Sequence, residues 1–579
     1  MSYKKKYEEW LNSSIIDEAT KLELKALEGN EKEIEERFYK DLEFGTGGLR
    51  GVLGAGTNRM NIYTVSKATQ GLANYILKQG QESAKKGVAI AFDSRRMSPE
   101  FADISARVLA ANGIKAFVFE SLRPVPLLSF ALRQKGCIAG IVITASHNPP
   151  EYNGYKAYWE DGAQVAYPRD EEIIVEVNAV EDFSQVKSLD KQAAQAAGLY
   201  EIMGAEIDDL YIEELKKLVL NNDTIKKEAD DFTIVYTPLH GSGNIPVRRI
   251  LKEIGFNKVE VVKEQELPDG NFPTVSYPNP EDIKAFALAL ELGKEKNADI
   301  IMATDPDADR LGILVKNQAG EYIPLTGNMM GILLTEYILN NKKAQGILPK
   351  NGIVIETIVS TKMVEAIAKH YDVAVVETLT GFKFIGEKIK EYEKTGEYEY
   401  LYGFEESYGC LIGTHARDKD AIAATMMSCE MAAWYKEKGM TLYQGLMSLY
   451  DKYGYFKEDL ESLTLKGLDG IEKINKILRE LRNNPPKAFN DIAVIEARDY
   501  QNDTIIDLKT GATKKTGLIS SNVLYYVLED ETWVCIRPSG TEPKVKFYFG
   551  VKGSSMENAE AKMQLVKKAM MDLVDKILA

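Results

Sequence analysis

The sequence predicts an α/β protein: three related α/β domains with mainly parallel, mixed sheets, followed by a smaller C-terminal α+β domain. Short β-branched runs alternating with helical patterns carry the first part of that expectation, because strands joined by crossover helices read this way. Val88 to Phe92, Ala116 to Phe119 and Gly140 to Ile143 form one set. Phe232 to Tyr236, Val259 to Val262 and Ile300 to Ala303 form a second, and Ile353 to Ile355, Val373 to Val376 and Tyr400 to Tyr402 a third. The last part rests on a change of spacing after Pro485 and Pro486. There Ile492 to Glu496, Val523 to Leu528, Trp533 to Ile536 and Val545 to Phe549 follow closely on one another, with a helix expected after Ser555. A chain of 579 residues holds roughly three to five domains of ordinary size.

Charge and composition exclude several classes. A formal net charge of -15 would repel a nucleic acid in the absence of a strong local basic patch, so no nucleic-acid partner is expected. An anionic substrate must then be met by locally gathered cations. No apolar run approaches the ~20 residues of a membrane span, and the charged stretch Met1 to Glu9 has no signal-peptide character. The expectation is a cytoplasmic protein with no membrane partner. Cys137, Cys410, Cys429 and Cys535 are scattered without CxxC spacing, which points to reduced core residues rather than disulfides or a zinc site.

Chemistry is concentrated in loops that follow apolar runs, where open α/β sheets place ligands. Thr144, Ala145, Ser146, His147, Asn148 and Pro149 come directly after Cys137 to Ile143. A hydroxyl held where a buried strand meets a polar turn is suited to carry a covalent phosphate, although Ser146 and Asn148 would also serve as plain turn residues. After the second strand set come Asp305, Pro306, Asp307, Ala308, Asp309 and Arg310. Three carboxylates at alternate positions in one tight loop call for a hard divalent cation or an equivalent positive charge. An EF-hand is excluded, because its sixth position is Arg310 where Gly is required and its twelfth is Lys316 where Glu is required. Arg537, Pro538, Ser539, Gly540, Thr541, Glu542, Pro543 and Lys544 have the composition of a phosphate cradle. Gly403, Phe404, Glu405, Glu406, Ser407, Tyr408 and Gly409 offer carboxylates and a hydroxyl suited to sugar hydroxyls. Gly45 to Gly51 offers flexible backbone and one cation, Arg50, but lacks GxGxxG spacing, and no Walker A motif is present.

The serine, aspartate, sugar and phosphate loops, in this order, resemble the α-D-phosphohexomutase family over nearly the whole chain. The resemblance implies four domains around one central cleft: 1–220 with the serine loop, 221–330 with the metal loop, 331–455 with the sugar loop and 456–579 with the phosphate loop. It implies that Ser146 carries a phosphoryl group, and that Asp305, Asp307 and Asp309 bind one Mg²⁺ together with an oxygen on Ser146. Glu405, Ser407 and Lys383 would contact substrate, while Arg537, Ser539, Gly540, Thr541 and Lys544 would grip the non-reacting phosphate. Arg50 and Arg310 join the catalytic set, Arg310 by stabilising charge on the transferring group. The implied reaction interconverts glucose 1-phosphate and glucose 6-phosphate through a phosphoserine and glucose 1,6-bisphosphate, on a sugar-phosphate substrate. A monomer or weak homo-oligomer is expected.

Proton transfer leaves two candidates, His147 beside Ser146 and Lys156 in Asn153, Gly154, Tyr155 and Lys156. Nearby Mg²⁺ and Arg310 are expected to lower the Lys156 pKa and make it the base. His240 is expected near the cleft, and His370 and His415 as structural or surface residues. Tyr408 and Gly409 after Ser407 resemble glucose-preferring members, against the mannose-accepting pattern. Phe404, before the paired glutamates, resembles relatives that include pentose-phosphate mutases, so a phosphopentomutase stays open, as does a phosphomannomutase. A non-catalytic sugar-phosphate sensor is the alternative of another class. A serine hydrolase is disfavoured, because Ala145 and His147 do not make a GxSxG elbow.

Overall fold

The computed structural model describes residues 2–45, 47–465, 468–539 and 544–579. The chain forms two compact units, Met1–Gly327 with Phe382–Leu442, and Asn328–Gly381 with Tyr443–Ala579.

In the first unit, strands β1 (Gly48–Val52), β2 (Val88–Phe92), β3 (Ala116–Phe119), β4 (Ala139–Ile143), β5 (Tyr152–Trp159) and β6 (Tyr200–Met203) build one sheet in the order β1-β5-β4-β2-β3-β6. The inner strands β4, β2, β3 and β6 run parallel, and β5 lies antiparallel to both β4 and β1. Every residue of β2 and β4 is buried, as continuous apolar runs require when helices cover both faces of a parallel sheet. The helices Ile62–Lys78 and Ser98–Ala111 supply Val65, Leu72, Ile76, Phe101 and Leu109 to this core.

A second sheet of the same unit contains β7 (Ile234–Thr237), β8 (Val259–Val261), β9 (Ile300–Thr304), β10 (Leu311–Lys316) and β11 (Tyr322–Leu325), in the order β11-β10-β9-β7-β8. Here β9, β7 and β8 are parallel, while β10 folds back antiparallel on β9. The third strand set read from the sequence is divided between the units. The parallel pair β12 (Gly352–Thr357) and β13 (Ala374–Thr378) lies in the second unit, and the antiparallel pair β14 (Glu399–Phe404) and β15 (Cys410–Ile412) in the first.

The second unit also holds β16 (Tyr455–Thr464), β17 (Ala488–Phe489), β18 (Ile492–Asp499), β19 (Thr504–Asp507), β20 (Thr513–Lys514), β21 (Leu524–Leu528), β22 (Trp533–Pro538) and β23 (Lys544–Gly553). Their order is β16-β23-β22-β21-β18-β19-β20, with β17 on β18, and every pairing is antiparallel. The helix Met556–Leu578, capped by Ser555, packs Met563, Val566, Met570 and Val574 against this sheet. The expected α/β units and C-terminal α+β domain are thus present.

The Gly45 segment departs from expectation. Instead of a flexible loop, Gly48 to Val52 are strand β1, and glycine is required because a Cβ on Gly48 would lie 1.8 Å from the Tyr155 carbonyl oxygen. All four cysteines are buried free thiols, as expected.

Candidate active site

Ser146 sits just past the carboxyl end of β4 in a left-handed conformation, φ 51°. Such a conformation is costly for a non-glycine residue and persists where surrounding bonds fix it. The Thr144 hydroxyl accepts from the Ser146 amide at 2.8 Å. Arg95, fully buried at the end of β2, donates to the carbonyls of Ser146 at 2.5 Å, Pro149 at 2.9 Å and Tyr152 at 3.0 Å, and also to that of Asn148. Asp93 backs this guanidinium at 3.4 Å and accepts from the Arg95 amide at 2.9 Å. The serine loop is therefore strapped from beneath, and its Oγ points away from the strap, donating to Asp305 Oδ2 at 2.8 Å.

The aspartate loop follows β9 and turns through Ala308 at φ 47°. Its backbone is tied on several sides: Asp307 O accepts from Val125 N at 3.0 Å, Pro306 O from Ser242 N at 2.8 Å, and Ala308 O from Ala421 N at 3.2 Å. Asp305 Oδ1 accepts from the amides of Asp309 and Arg310, both at 3.1 Å. All three carboxylates are buried, and one oxygen of each lies within 4.8 Å of the others.

Two lysines neutralise part of that charge. Lys156 Nζ, on β5, is 2.9 Å from Asp307 Oδ2 and 3.7 Å from Asp309 Oδ2. Lys419 Nζ is 3.1 Å from Asp309 Oδ2 and 3.1 Å from Asp418 Oδ1. Burial opposes the charge on Lys156, but Asp307 and Asp309 outweigh it and hold its pKa above the ordinary lysine value. That direction is set by the carboxylates alone, whereas the fall expected for Lys156 is tied to a bound Mg²⁺. His147 Nδ1 lies 3.3 Å from Ser146 Oγ. Burial, then Arg310 and Arg50, push its imidazole down to about 2, so it is a neutral hydrogen-bonding partner and a weak base. Arg310 pairs with Glu281, and its Nε is 3.8 Å from Asp309 Oδ1. Arg50, at the exposed edge on β1, donates to Asn148 Oδ1 at 3.2 Å.

The cluster fits a hard divalent cation. Asp307 Oδ1 and Asp309 Oδ1 are buried without a hydrogen-bond partner, unusual for polar atoms with no ligand. Burial, then the charges of Asp307 and Asp309, raise the Asp305 pKa well above the carboxylate range, so further positive charge is needed for all three to ionise. Carboxylate and hydroxyl oxygens are the donors that Mg²⁺ or Mn²⁺ takes.

Comparison with known proteins accounts for this arrangement. Four family models match consecutive segments, described as phosphoglucomutase/phosphomannomutase alpha/beta/alpha domain I over residues 41–183, domain II over 209–320, domain III over 326–453 and the C-terminal domain over 474–568. A curated phosphoglucomutase of Staphylococcus saprophyticus is 35% identical over 527 residues, covering 91% of this chain and 93% of that protein. One from Staphylococcus aureus is 35% identical over 535 residues, covering 92% and 94%. This chain belongs to the phosphoglucomutase/phosphomannomutase family. Its fold is similar to that of the Paramecium phosphoglucomutase parafusin, with a TM-score of 0.69 at 18% identity over 93% of this chain and 96% of that one. A Burkholderia thailandensis protein of the phosphoglucomutase/phosphomannomutase family gives 0.63 at 19% identity over 91% and 96%.

The other residues that the family resemblance singled out fall into three groups. Glu405 and Ser407 lie in the turn between β14 and β15, in the same unit as Ser146. Glu405 N donates to Gly409 O at 2.8 Å, and Tyr408 O accepts from Leu311 N at 3.0 Å, which ties the sugar loop to the strand leaving the aspartate loop. Lys383 Nζ is engaged by buried Asp170 at 3.5 Å rather than by the serine cluster. Arg537, Ser539 and Lys544 lie in the second unit at the β22–β23 connection, where Ser539 N donates to Lys544 O at 2.7 Å; Gly540 and Thr541 lie outside the described residues.

One expectation changes. His240 is buried, with Nε2 2.9 Å from Thr274 Oγ1 and Nδ1 3.1 Å from Leu267 O, so it organises its own loop. Phe404 is buried and stacks on Tyr402 at 5.7 Å between centroids. His415 is structural as expected, its Nε2 2.6 Å from Asp420 Oδ2. Sequence reading missed Arg95, Lys419, Asp418 and Glu281. Charged residues right after a buried strand, as in Asp93, Ser94, Arg95 and Arg96 behind β2, were the available signal for Arg95.

Proposed function

We propose that this chain is a phosphoglucomutase, interconverting α-D-glucose 1-phosphate and glucose 6-phosphate. The observation that carries the reading is the Ser146 hydroxyl 2.8 Å from Asp305 within a buried cluster of three carboxylates, in a chain 35% identical to phosphoglucomutases over most of its length. A binding-only sensor would need neither a nucleophile nor such a cluster, and the 35% identity to phosphoglucomutases over most of the chain favours this reading over a phosphopentomutase.

Ser146 starts phosphorylated. The free 6-hydroxyl of glucose 1-phosphate takes the phosphoryl group: the bond from phosphorus to Ser146 Oγ breaks as one to the sugar oxygen forms, and the hydroxyl proton passes to a base, for which Lys156 and His147 are the candidates, as Oγ regains one. The resulting glucose 1,6-bisphosphate turns over and returns its 1-phosphoryl group to Ser146, leaving glucose 6-phosphate. Both phosphates carry about two negative charges near neutral pH, and the protein itself carries -15. Cations gathered at one point are therefore required. Lys419 and Arg310 supply fixed positive charge, and the Arg95 strap holds Ser146 in place so that little geometry has to be reached at the moment of transfer. Asp305, Asp307 and Asp309, with an oxygen on Ser146, would hold Mg²⁺, which supplies neutralisation of charge on the transferring group. Glu405, Ser407 and Lys383 are assigned to the sugar, and Arg537, Ser539 and Lys544 to the phosphate that is not reacting.

The test is kcat/KM for glucose 1-phosphate, mannose 1-phosphate and ribose 1-phosphate, with Mg²⁺ and a trace of glucose 1,6-bisphosphate. Glucose 1-phosphate should lead; a preference for ribose 1-phosphate would overturn the assignment.

A further inference from the structure

The second unit contains another convergence of carboxylates that the mutase reaction does not use. Strands β12 and β13 run parallel with Glu356 directly opposite Glu377. The helix Met363–Tyr371, which follows β12, carries Glu365 in its first turn. One carboxylate oxygen from each of the three lies within 4.8 Å of the other two. They gather at the carboxyl ends of two parallel strands and the start of the next helix, the place where open α/β sheets put ligands.

An acidic cluster alone is no site, because exposed carboxylates often crowd without a ligand. Glu356 distinguishes this one. Its side chain is fully buried, and neither carboxyl oxygen has a hydrogen-bond partner. Buried polar atoms are almost always partnered, and a carboxylate with both oxygens unpaired is the exception that calls for a missing group. The nearby cations do not fill that need. Lys362 Nζ is paired with Glu377 and lies 3.3 Å from Glu365. Arg498 NH1 is 3.6 Å from Glu377 Oε2, and its Nε bonds Glu496 at 2.7 Å. Both cations serve the two more exposed members. The same pattern occurs at the aspartate loop, where lysines hold two carboxylates while Asp307 Oδ1 and Asp309 Oδ1 are unpartnered.

We propose that Glu356, Glu365 and Glu377 bind a second hard divalent cation, of the Mg²⁺, Mn²⁺ or Ca²⁺ class. The donor set is oxygen alone, with no thiol or imidazole, which selects hard ions over zinc. The ion links β12, β13 and the following helix, so its role is structural. A proton is the competing occupant: burial pushes the Glu356 carboxyl up to about 8, against the pull of Lys362 and with Glu365 and Glu458 adding to it, and burial also pushes Glu458 up to about 7.

The experiment is equilibrium dialysis of the full chain against Mn²⁺ at a pH above about 8, where a proton no longer competes well, with bound metal read by elemental analysis. Wild type should bind two Mn²⁺ per chain, Glu356→Gln one, and Asp305→Asn one. Gln keeps the volume of Glu and can supply its own donors, so Glu356→Gln should fold. Should it not fold, Glu365→Gln on the exposed helix turn should weaken one of the two Mn²⁺ sites about tenfold or more, the usual loss when metal coordination is disturbed. A single Mn²⁺ per wild-type chain, or two in folded Glu356→Gln, would overturn the proposal. So would an unchanged pair of affinities in Glu365→Gln.

Discussion

Replacing Arg95 with Lys keeps the charge beneath the serine loop but removes the planar fork that reaches four carbonyls. The guanidinium donates to Ser146 O, Asn148 O, Pro149 O and Tyr152 O while paired with Asp93. An ammonium is a compact point donor on a different stem and can keep only part of that set. Losing one or two bonds from a charged donor, at about 1.5–3 kcal/mol each, predicts a destabilisation of about 1.5–6 kcal/mol. Freed of part of its strap, Ser146 can leave its left-handed conformation, and a displacement of about 1 Å is enough to cost about 10²-fold in rate. A coupled assay for glucose 6-phosphate should find kcat lowered about 10- to 100-fold with KM nearly unchanged, because Arg95 touches loop carbonyls and not substrate. Urea unfolding of the same variant gives the stability term. A folded Arg95→Lys protein with wild-type kcat would refute the reasoning, and so would a loss seen only in KM.

Lys156→Met removes the cation 2.9 Å from Asp307 and leaves a buried carboxylate unpaired, so stability in chelator should fall by about 3–5 kcal/mol, and added Mg²⁺ should recover part of it, as followed by thermal melting. Gly48→Ala puts a Cβ 1.8 Å from Tyr155 O, so β1 must separate from β5, and denaturant unfolding should show a loss of at least about 1–3 kcal/mol. Burial pushes the thiols of Cys137 and Cys410 up to about 12, and all four cysteines are buried; a thiol reagent at pH 8 should label none in the native protein and all four after unfolding. A chelator should abolish mutase turnover, and Mg²⁺ should restore it.

Local signals made much of this legible. Buried parallel strands write themselves as unbroken apolar runs, so β2, β4 and β9 were readable, and so were the polar loops after β4 and β9 that hold Ser146 and the three aspartates. Less was readable where function depends on partners distant in the chain. Lys419 reaches Asp309 from beyond the sugar loop, Glu281 reaches Arg310 across 29 residues, and Arg95 reaches the Ser146 loop from the neighbouring strand. No periodicity or spacing announces such pairs, because they form only when strands from different segments align. Lys156 is a further case: the strand that carries it sets it beside Asp307 and Asp309 of the aspartate loop, which raise its pKa in the absence of a metal ion. His240 misled, since its position after β7 resembled a ligand loop and its bonds to Thr274 and Leu267 O could not be read from spacing.

The central claim is that Ser146 carries the transferred phosphoryl group, and intact-protein mass spectrometry with parallel turnover measurements tests it most directly. Wild-type protein incubated with glucose 1,6-bisphosphate and Mg²⁺ should gain the mass of one phosphoryl group, localised to the peptide containing Ser146, and should convert glucose 1-phosphate to glucose 6-phosphate. Ser146→Ala should gain no phosphoryl mass and turn over no substrate. Full turnover by Ser146→Ala, or phosphorylation of wild type at another residue, would contradict the account.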